Sequence, residues 1–402
     1  MTHNTNTSIT SSDCVPQGVT GFGQKRILIA VDKFKGSLTS LQAAQAIKSG
    51  FEMTSSSEQQ EFRIIEIADG GDGSLDVLRK RLPDSSLCDV SVHNPVGDIV
   101  ASHFLLYTLP DTCAFIEMAK VSGLEMLAAE QRNPLYTSTY GMGEAIKAAV
   151  SMGARHITLS IGGSATNDGG AGMLQALGYV FLDGDGNEIA APICGGDLVN
   201  VKSIRPSCDL GDVEFEVICD VTNPLLGTEG ATAVYGPQKG ADAEALKHLE
   251  QGLANYASVA ERCLGVDAKY KNAPGAGAAG GVGYAGVALL GARLIPGWKF
   301  FAKVTSLEES IQWADLVITG EGSVDSQSLS GKVVNGVLEL SGHYNKQVMI
   351  FCGVSKLSPA QLGPTKCYSI ASLGYPLEIC MRDAAKLLQQ LAHSAHQIAV
   401  LE

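Results

Sequence analysis

Ile27-Leu28-Ile29-Ala30-Val31-Asp32-Lys33-Phe34-Lys35-Gly36-Ser37 is an unbroken apolar run that stops at a short loop carrying charge and glycine. The same event recurs three times. Ile64–Ala68 runs into Asp69-Gly70-Gly71-Asp72-Gly73, Ile157–Ile161 into Gly162-Gly163-Ser164-Ala165-Thr166-Asn167-Asp168-Gly169-Gly170, and Leu316–Thr319 into Gly320-Glu321-Gly322-Ser323-Val324-Asp325. A helix pattern begins after each. In α/β sheets ligands gather beyond the carboxyl ends of the strands, and glycine there lets backbone N–H groups approach an anion at the start of the next helix. The pattern points to a phosphate-handling enzyme.

Working outward, the opening reads strand Ile27–Val31, helix Ser40–Phe51, strand Phe62–Ala68, helix Leu75–Leu82, with Ser37 and Thr39 available as caps. This βαβα start predicts parallel pairing. From Leu87 the rhythm changes to hairpin-like segments, Cys88–His93, Val100–Leu109 and Cys113–Met118, separated by turn residues. Helix Gly143–Met152, strand Glu214–Asp220 and helix Ala241–Leu264 follow, and the glycine run Pro274–Gly283 ends this part. After about Pro296 the alternation returns with Leu316–Thr319, helix Val333–Tyr344, strands Val348–Cys352 and Cys367–Ala371, and one long helix from Glu378 to Leu401. The simplest topology is an α/β, doubly wound domain made from residues 25–75 and 295–402, interrupted by a second α/β domain over residues 76–294. Such an insertion creates a cleft.

The 402 residues suit two domains, and 45% hydrophobic content fills their cores. A net charge of −13 without any dense Lys/Arg run excludes an electrostatic footing on nucleic acid or anionic lipid. Ten cysteines, none in a CxxC pair, read as reduced thiols of a cytoplasmic protein. Met1–Gln24, rich in Thr, Ser and Asn, reads as a disordered extension and not a signal peptide. Asn272–Ala292 carries no charge, but seven of its residues are glycine, so a tightly packed soluble helix is expected and no membrane span.

Each loop has a plainer reading. In Asp69-Gly70-Gly71-Asp72-Gly73 one Asp could cap the helix that follows, yet a cap needs one carboxylate and this loop has two. Carboxylates close together on a rigid turn suit metal-nucleotide or general-base work. The loop from Gly162 to Gly170 spends four glycines where a turn needs one or two. Lys33 and Lys35 alternate around Phe34 and could neutralise phosphate, or be solvated. Glu321, Asp220 with Asn223, and Lys239 in Tyr235-Gly236-Pro237-Gln238-Lys239-Gly240 repeat acid or base at loops and equally fit turn chemistry. Gly275-Ala276-Gly277-Ala278-Ala279-Gly280 matches a dinucleotide signature but lacks the preceding strand and the later acid. Ser330-Gly331-Lys332-Val333 fails as a phosphate loop, with Ser326 where glycine is required and Val333 in place of a hydroxyl. No HxxxH spacing supports a histidine metal centre.

Together, Asp32-Lys33-Phe34-Lys35-Gly36-Ser37-Leu38, Ala68–Gly73, Ile161–Met173, Cys219-Asp220-Val221-Thr222-Asn223-Pro224-Leu225, Tyr235–Ala241, Pro274–Gly281 and Thr319–Gly322 resemble the type 1 glycerate kinases, from about Lys25 to the C-terminus. The resemblance implies ATP-dependent phosphorylation of D-glycerate, typically to 2-phosphoglycerate, and a flavodoxin-like domain interrupted by a second domain with a mixed sheet. Two departures stand out. Lys33 takes the place of a serine common in that family, and Met1–Gln24 has no counterpart.

Chemistry then assigns roles. Phosphoryl transfer needs an in-line hydroxyl, Mg²⁺ on the phosphates and neutralised charge. Lys35, Ser164, Asn167 and the amides of Gly162, Gly163, Gly169 and Gly170 are expected on phosphate, with Asn223 and Glu321 also lining the nucleotide. Asp168 is expected as base and Asp69 as a second catalytic acid, with Asp72 and Asp220 on metal and Lys33 or Lys239 on the glycerate carboxylate. A monomer or homodimer is expected. A Mg²⁺-dependent phosphatase and a non-enzymatic glycerate sensor are the alternatives.

Overall fold

The computed structural model describes residues 25–53, 60–68, 70–71, 73–206, 210–326, 328–329 and 332–401. The expected N-terminal extension, Asp69 and Asp72 lie outside the described residues. The strands run in chain order β1 (Lys25–Val31), β2 (Gln60–Ile64), β3 (Ser86–His93), β4 (Ile99–Thr108), β5 (Thr112–Glu117), β6 (His156–Ser160), β7 (Val180–Leu182), β8 (Ser203–Arg205), β9 (Glu214–Ile218), β10 (Arg293–Ile295), β11 (Leu316–Val324), β12 (Gln347–Ser355) and β13 (Lys366–Ser369).

Both ends of the chain build one all-parallel sheet in the order β13-β12-β11-β1-β2. Counting only its own strands, this is 2-1-3-4-5, the flavodoxin-like doubly wound order. Val31 stands opposite Gly320, so β1 and β11 direct their following loops to one place. Ile27, Ile29 and Val31 pack under helices Ser40–Glu52 and Ala384–Leu401, while Leu28 and Ala30 face the other side. Burial on both faces is why this run shows no polar alternation. Thr39 and Gln42 form a capping box that starts the first helix.

Several boundaries differ from expectation, and the loop expected at Gly320–Asp325 is mostly strand, because β11 continues to Val324 by pairing with β12 as far as Val324 opposite Ser355. The single helix expected from Glu378 to Leu401 is two, Leu377–Arg382 and Ala384–Leu401, divided at Asp383. Aspartate competes poorly for a helix interior. β2 stops at Ile64 instead of Ala68, because after Ile65 N–H bonds to Ile29 O the chain leaves the ladder for the second sheet.

That sheet is mixed, in the order β10-β9-β6-β5-β4-β3. β5, β6, β9 and β10 are parallel, and β3-β4-β5 form the expected antiparallel meander. Helices Tyr140–Ser151, Ala243–Leu264 and Ala278–Leu289 contribute to the core on one of its faces. No helix among the described residues is long and apolar enough to cross a membrane. The glycine run earns its composition by close backbone approach. Gly280, at φ +67°, lies where a side chain would strike the Thr166 carbonyl and come within 2.7 Å of Asn167 Cα.

The two sheets are not loosely hinged. One apolar core includes Leu28 and Ala30 of β1, Leu105 of β4, Phe115 of β5, Ile218 of β9, and Phe300 and Phe301 of helix Gly297–Val304. Phe115 stacks on Phe300 at 5.7 Å between centroids. A shared hydrophobic contact of this kind holds the carboxyl edges of the sheets in a set relation, where a polar interface would permit independent motion.

Candidate active site

The loop after β2 joins the two sheets. Gly70 sits at φ +84°, against Ile218 at the end of β9, and a Cβ there would also lie 3.9 Å from Gly297 Cα. Gly162 meets Gly71 so closely that a Cβ on Gly162 would stand 3.0 Å from Gly71 Cα. Ser160 Oγ, at the end of β6, donates to the Gly70 carbonyl. Glu117, the last residue of β5 and fully buried, accepts from Gly73 N–H at 2.9 Å and Leu75 N–H at 3.0 Å. Loop residues of the first sheet thus rest on the carboxyl ends of β5, β6 and β9. Glycine is required because any side chain at Gly70 would overlap Ile218.

Glu117 also answers the capping question. Helix Ser74–Arg81 has Gly73 as its N-cap and no side-chain cap from it, and its first amides go to a carboxylate more than forty residues away in sequence. A buried carboxylate at a helix N-terminus is stabilised by these donors and by the helix dipole. Nothing in the sequence marks Glu117, since it ends an ordinary apolar strand.

At the other side of this edge lie the loop after β1 and the end of β11. Lys35 is exposed and Lys33 half-buried. Gly322 lies against them, with a Cβ position 3.2 Å from Lys35 N and Phe34 Cα. Glu321 is half-buried on β11, opposite Cys352. Asp32 is buried and accepts from Lys33 N–H at 2.7 Å. The strand order of the sheet reverses here, between β1 and β11, which is where doubly wound folds bind ligands.

The Gly162–Gly170 loop divides into an open and a closed half. Gly163 is exposed and Gly162 half-buried, held by Leu124 N–H on Gly163 O and by Ala165 N–H on Ser122 O. From Ser164 onward every residue is buried. Asp168 has no exposed surface, and its Oδ2 accepts from Thr139 N–H at 2.8 Å, Thr139 Oγ1 at 2.7 Å and Gly172 N–H at 3.2 Å. Its Oδ1 accepts from Gly170 N–H at 3.2 Å. Burial pushes this carboxyl up, and the same hydrogen bonds pull it back. A base must reach a substrate hydroxyl, and Asp168 instead ties the loop to the Thr139 segment.

The expectations for Gly169 and Gly170 change for the same reason. Gly169 N–H donates to Gly280 O and Gly170 N–H to Asp168, so neither amide is offered to phosphate in this structure. Asn167 is buried with Nδ2 on Thr232 Oγ1 at 3.0 Å. Lys239 is 2% exposed, with Nζ donating to Thr166 O at 2.6 Å. Burial drives its pKa down to about 7 against the opposing pull of Asp168. Lys239 therefore stands behind the loop, not at a substrate carboxylate. Asn223 is a turn anchor, accepting from Tyr235 Oη at 2.7 Å and donating to Glu229 O at 2.8 Å. Asp220 is half-buried at the end of β9, with Oδ1 accepting from Gly297 N–H at 2.7 Å, beside the Gly70 loop.

The carboxyl edges of the two sheets carry lysines after β1, glycine backbone after β6, and carboxylates at Asp220 and Glu321. That is the inventory for holding a phosphorylated ligand and a small acid together. The family model for the glycerate kinase family matches residues 27–400. The chain belongs to the glycerate kinase family. It is thus an enzyme that phosphorylates glycerate. It is 42% identical to glycerate kinase of Bacillus subtilis (strain 168) over 91% of this chain and 96% of that one. With glycerate 2-kinase of Escherichia coli (strain K12) it shares 43% identity, over 82% of this chain and 85% of the other. A crystal structure from Salmonella typhimurium LT2 assigned to glycerate kinase 2 superposes with a TM-score of 0.76 at 38% identity, covering 94% of this chain and 99% of that one.

Proposed function

We propose that the enzyme transfers the γ-phosphoryl group of ATP to the 2-hydroxyl of D-glycerate, releasing ADP and 2-phosphoglycerate. The observation that carries this reading is the seating of Gly70 and Gly71 against Ile218, Ser160 and Gly162, in a member of this family. In this reading the two sheets are the cores of two domains, residues 25–75 with 295–402 and residues 76–294, and the enzyme works in the cytoplasm.

Lys35, with the backbone at Gly162 and Gly163, takes the phosphates, and Lys33 the glycerate carboxylate. Glu321 lines the nucleotide side. With Asp168 buried, Asp69, the other carboxylate expected in catalysis, is the base that accepts the hydroxyl proton. Mg²⁺ fits the donors available. Among the described residues no group of three His, Cys, Asp or Glu could hold a metal by itself, and Mg²⁺ bound with a nucleotide needs only one or two carboxylates, the phosphates supplying the rest. Asp220 and Asp72 would hold it, where it would neutralise charge developing on the phosphates.

The test is ADP release from ATP and D-glycerate, with phosphorus NMR of the product. Stoichiometric ADP and 2-phosphoglycerate are expected. Orthophosphate in place of a phosphorylated acid, or phosphate on the 3-hydroxyl, would refute the assignment.

A further inference from the structure

Residues 371–378 form a run in which every residue is exposed, although it contains Leu373, Tyr375, Pro376 and Leu377. Tyr375 is 49% exposed and Leu377 75%. Met381 continues this surface and touches the lysine loop, its Cε 3.1 Å from where a Cβ on Gly36 would stand. Val354 is also exposed, on β12 opposite Ser323 of β11. Of these side chains Met381 lies against Gly36, next to Lys35, at the edge where the strand order reverses.

We propose that this apolar rim is the seat of the adenine ring, with the polyphosphate running from it toward Lys35. The inference rests on ATP being the donor. A flat heterocycle is mostly apolar on its two faces and is held by aliphatic and aromatic side chains. Cations lie on the side where the phosphates would go. Lys35 follows β1, and Lys356, exposed just past β12, is tied by its N–H to Val324 O. Glu378 is the one acid within residues 371–381. A second copy of the chain would need a larger surface, since a standard interface engages about 20–30 residues a side. A short exposed apolar run whose neighbour Met381 lies against the lysine loop matches a nucleobase instead.

The experiment is calorimetric titration of the intact protein with ADP and, separately, with inorganic tripolyphosphate, which lacks the base. The triple variant Leu373→Ser/Tyr375→Ser/Leu377→Ser is compared with wild type, and Leu377→Ser alone serves as a variant whose exposed side chain plays little part in folding. The triple variant is expected to bind ADP about tenfold more weakly and Leu377→Ser a few-fold more weakly, with tripolyphosphate affinity unaltered in both. Unchanged ADP affinity overturns the proposal, as does a parallel loss of tripolyphosphate binding. So does sedimentation showing that wild type is a dimer which the triple variant dissociates. If wild type binds tripolyphosphate but not ADP, the rim is refuted alone. If it binds neither, the ATP reading falls with it.

Discussion

Lys239→Met tests the account of the Gly162–Gly170 loop most sharply. Lys239 is 2% exposed, and its ammonium has a pKa of about 7 where 10.5 is ordinary. The unfolded chain keeps the proton to about 10.5 and the folded chain releases it near 7, so between these values the unfolded state binds more protons and stability rises with pH. Below pH 7 both states are charged and the folded protein bears the whole cost of the buried cation. The gap between the two pKa values corresponds to about 5 kcal/mol, undiminished by solvent because the group is buried. Methionine is apolar and adaptable in shape, and removes this cost while depriving Thr166 O of a donor, a loss of about 1–3 kcal/mol. Near pH 7 the variant is therefore expected to be the more stable. Urea unfolding at pH 7.5, 8.5 and 9.5 should show wild type gaining on the variant by about 1.4 kcal/mol per pH unit. Taking the difference cancels other groups that titrate in this range. A constant difference across the three pH values would mean that Lys239 is not a desolvated ammonium, and the reasoning fails.

Asp168→Asn places an NH₂ among four donors, so a stability loss of about 1–3 kcal/mol is expected with turnover of the folded enzyme within tenfold of wild type. Asp69→Asn, by contrast, is expected to lower kcat by about 10²–10⁴-fold, measured by coupled ADP release, if Asp69 is the base. Glu117→Gln keeps the shape but turns a donor toward Gly73 or Leu75 N–H. Faster amide hydrogen exchange at residues 73–78, read in metal-free protein, is expected together with a kcat decrease of tenfold or more. Gly280→Ala must hold a left-handed conformation against the Thr166 carbonyl, so a fall in stability of at least about 1–2 kcal/mol is expected by urea unfolding.

Much was legible in the chain alone. The apolar runs at β1, β6 and β11, buried on both faces, named the parallel strands, and the turn residues around Asn94 and Pro110 named the antiparallel ones. The loop blocks identified the family, because they are long and need several glycines at once. Local pattern could not decide direction. Within Gly162–Gly170 the residue types are alike, yet Gly163 faces out while Asn167, Asp168 and Gly169 face in, bound to Thr232, Thr139 and Gly280. Those partners are distant in sequence, and which side of a loop is solvated depends on them. Lys239 looked like a ligand-binding cation and is a buried one for the same reason. Glu117 and the shared core at Phe115 and Phe300 lay beyond any one-dimensional reading, since each exists only where two sheets meet. Sequence determined strands, loops and chemistry; tertiary packing decided which of those chemical groups a ligand can touch, because burial and long-range hydrogen bonds arise only when distant segments are brought together.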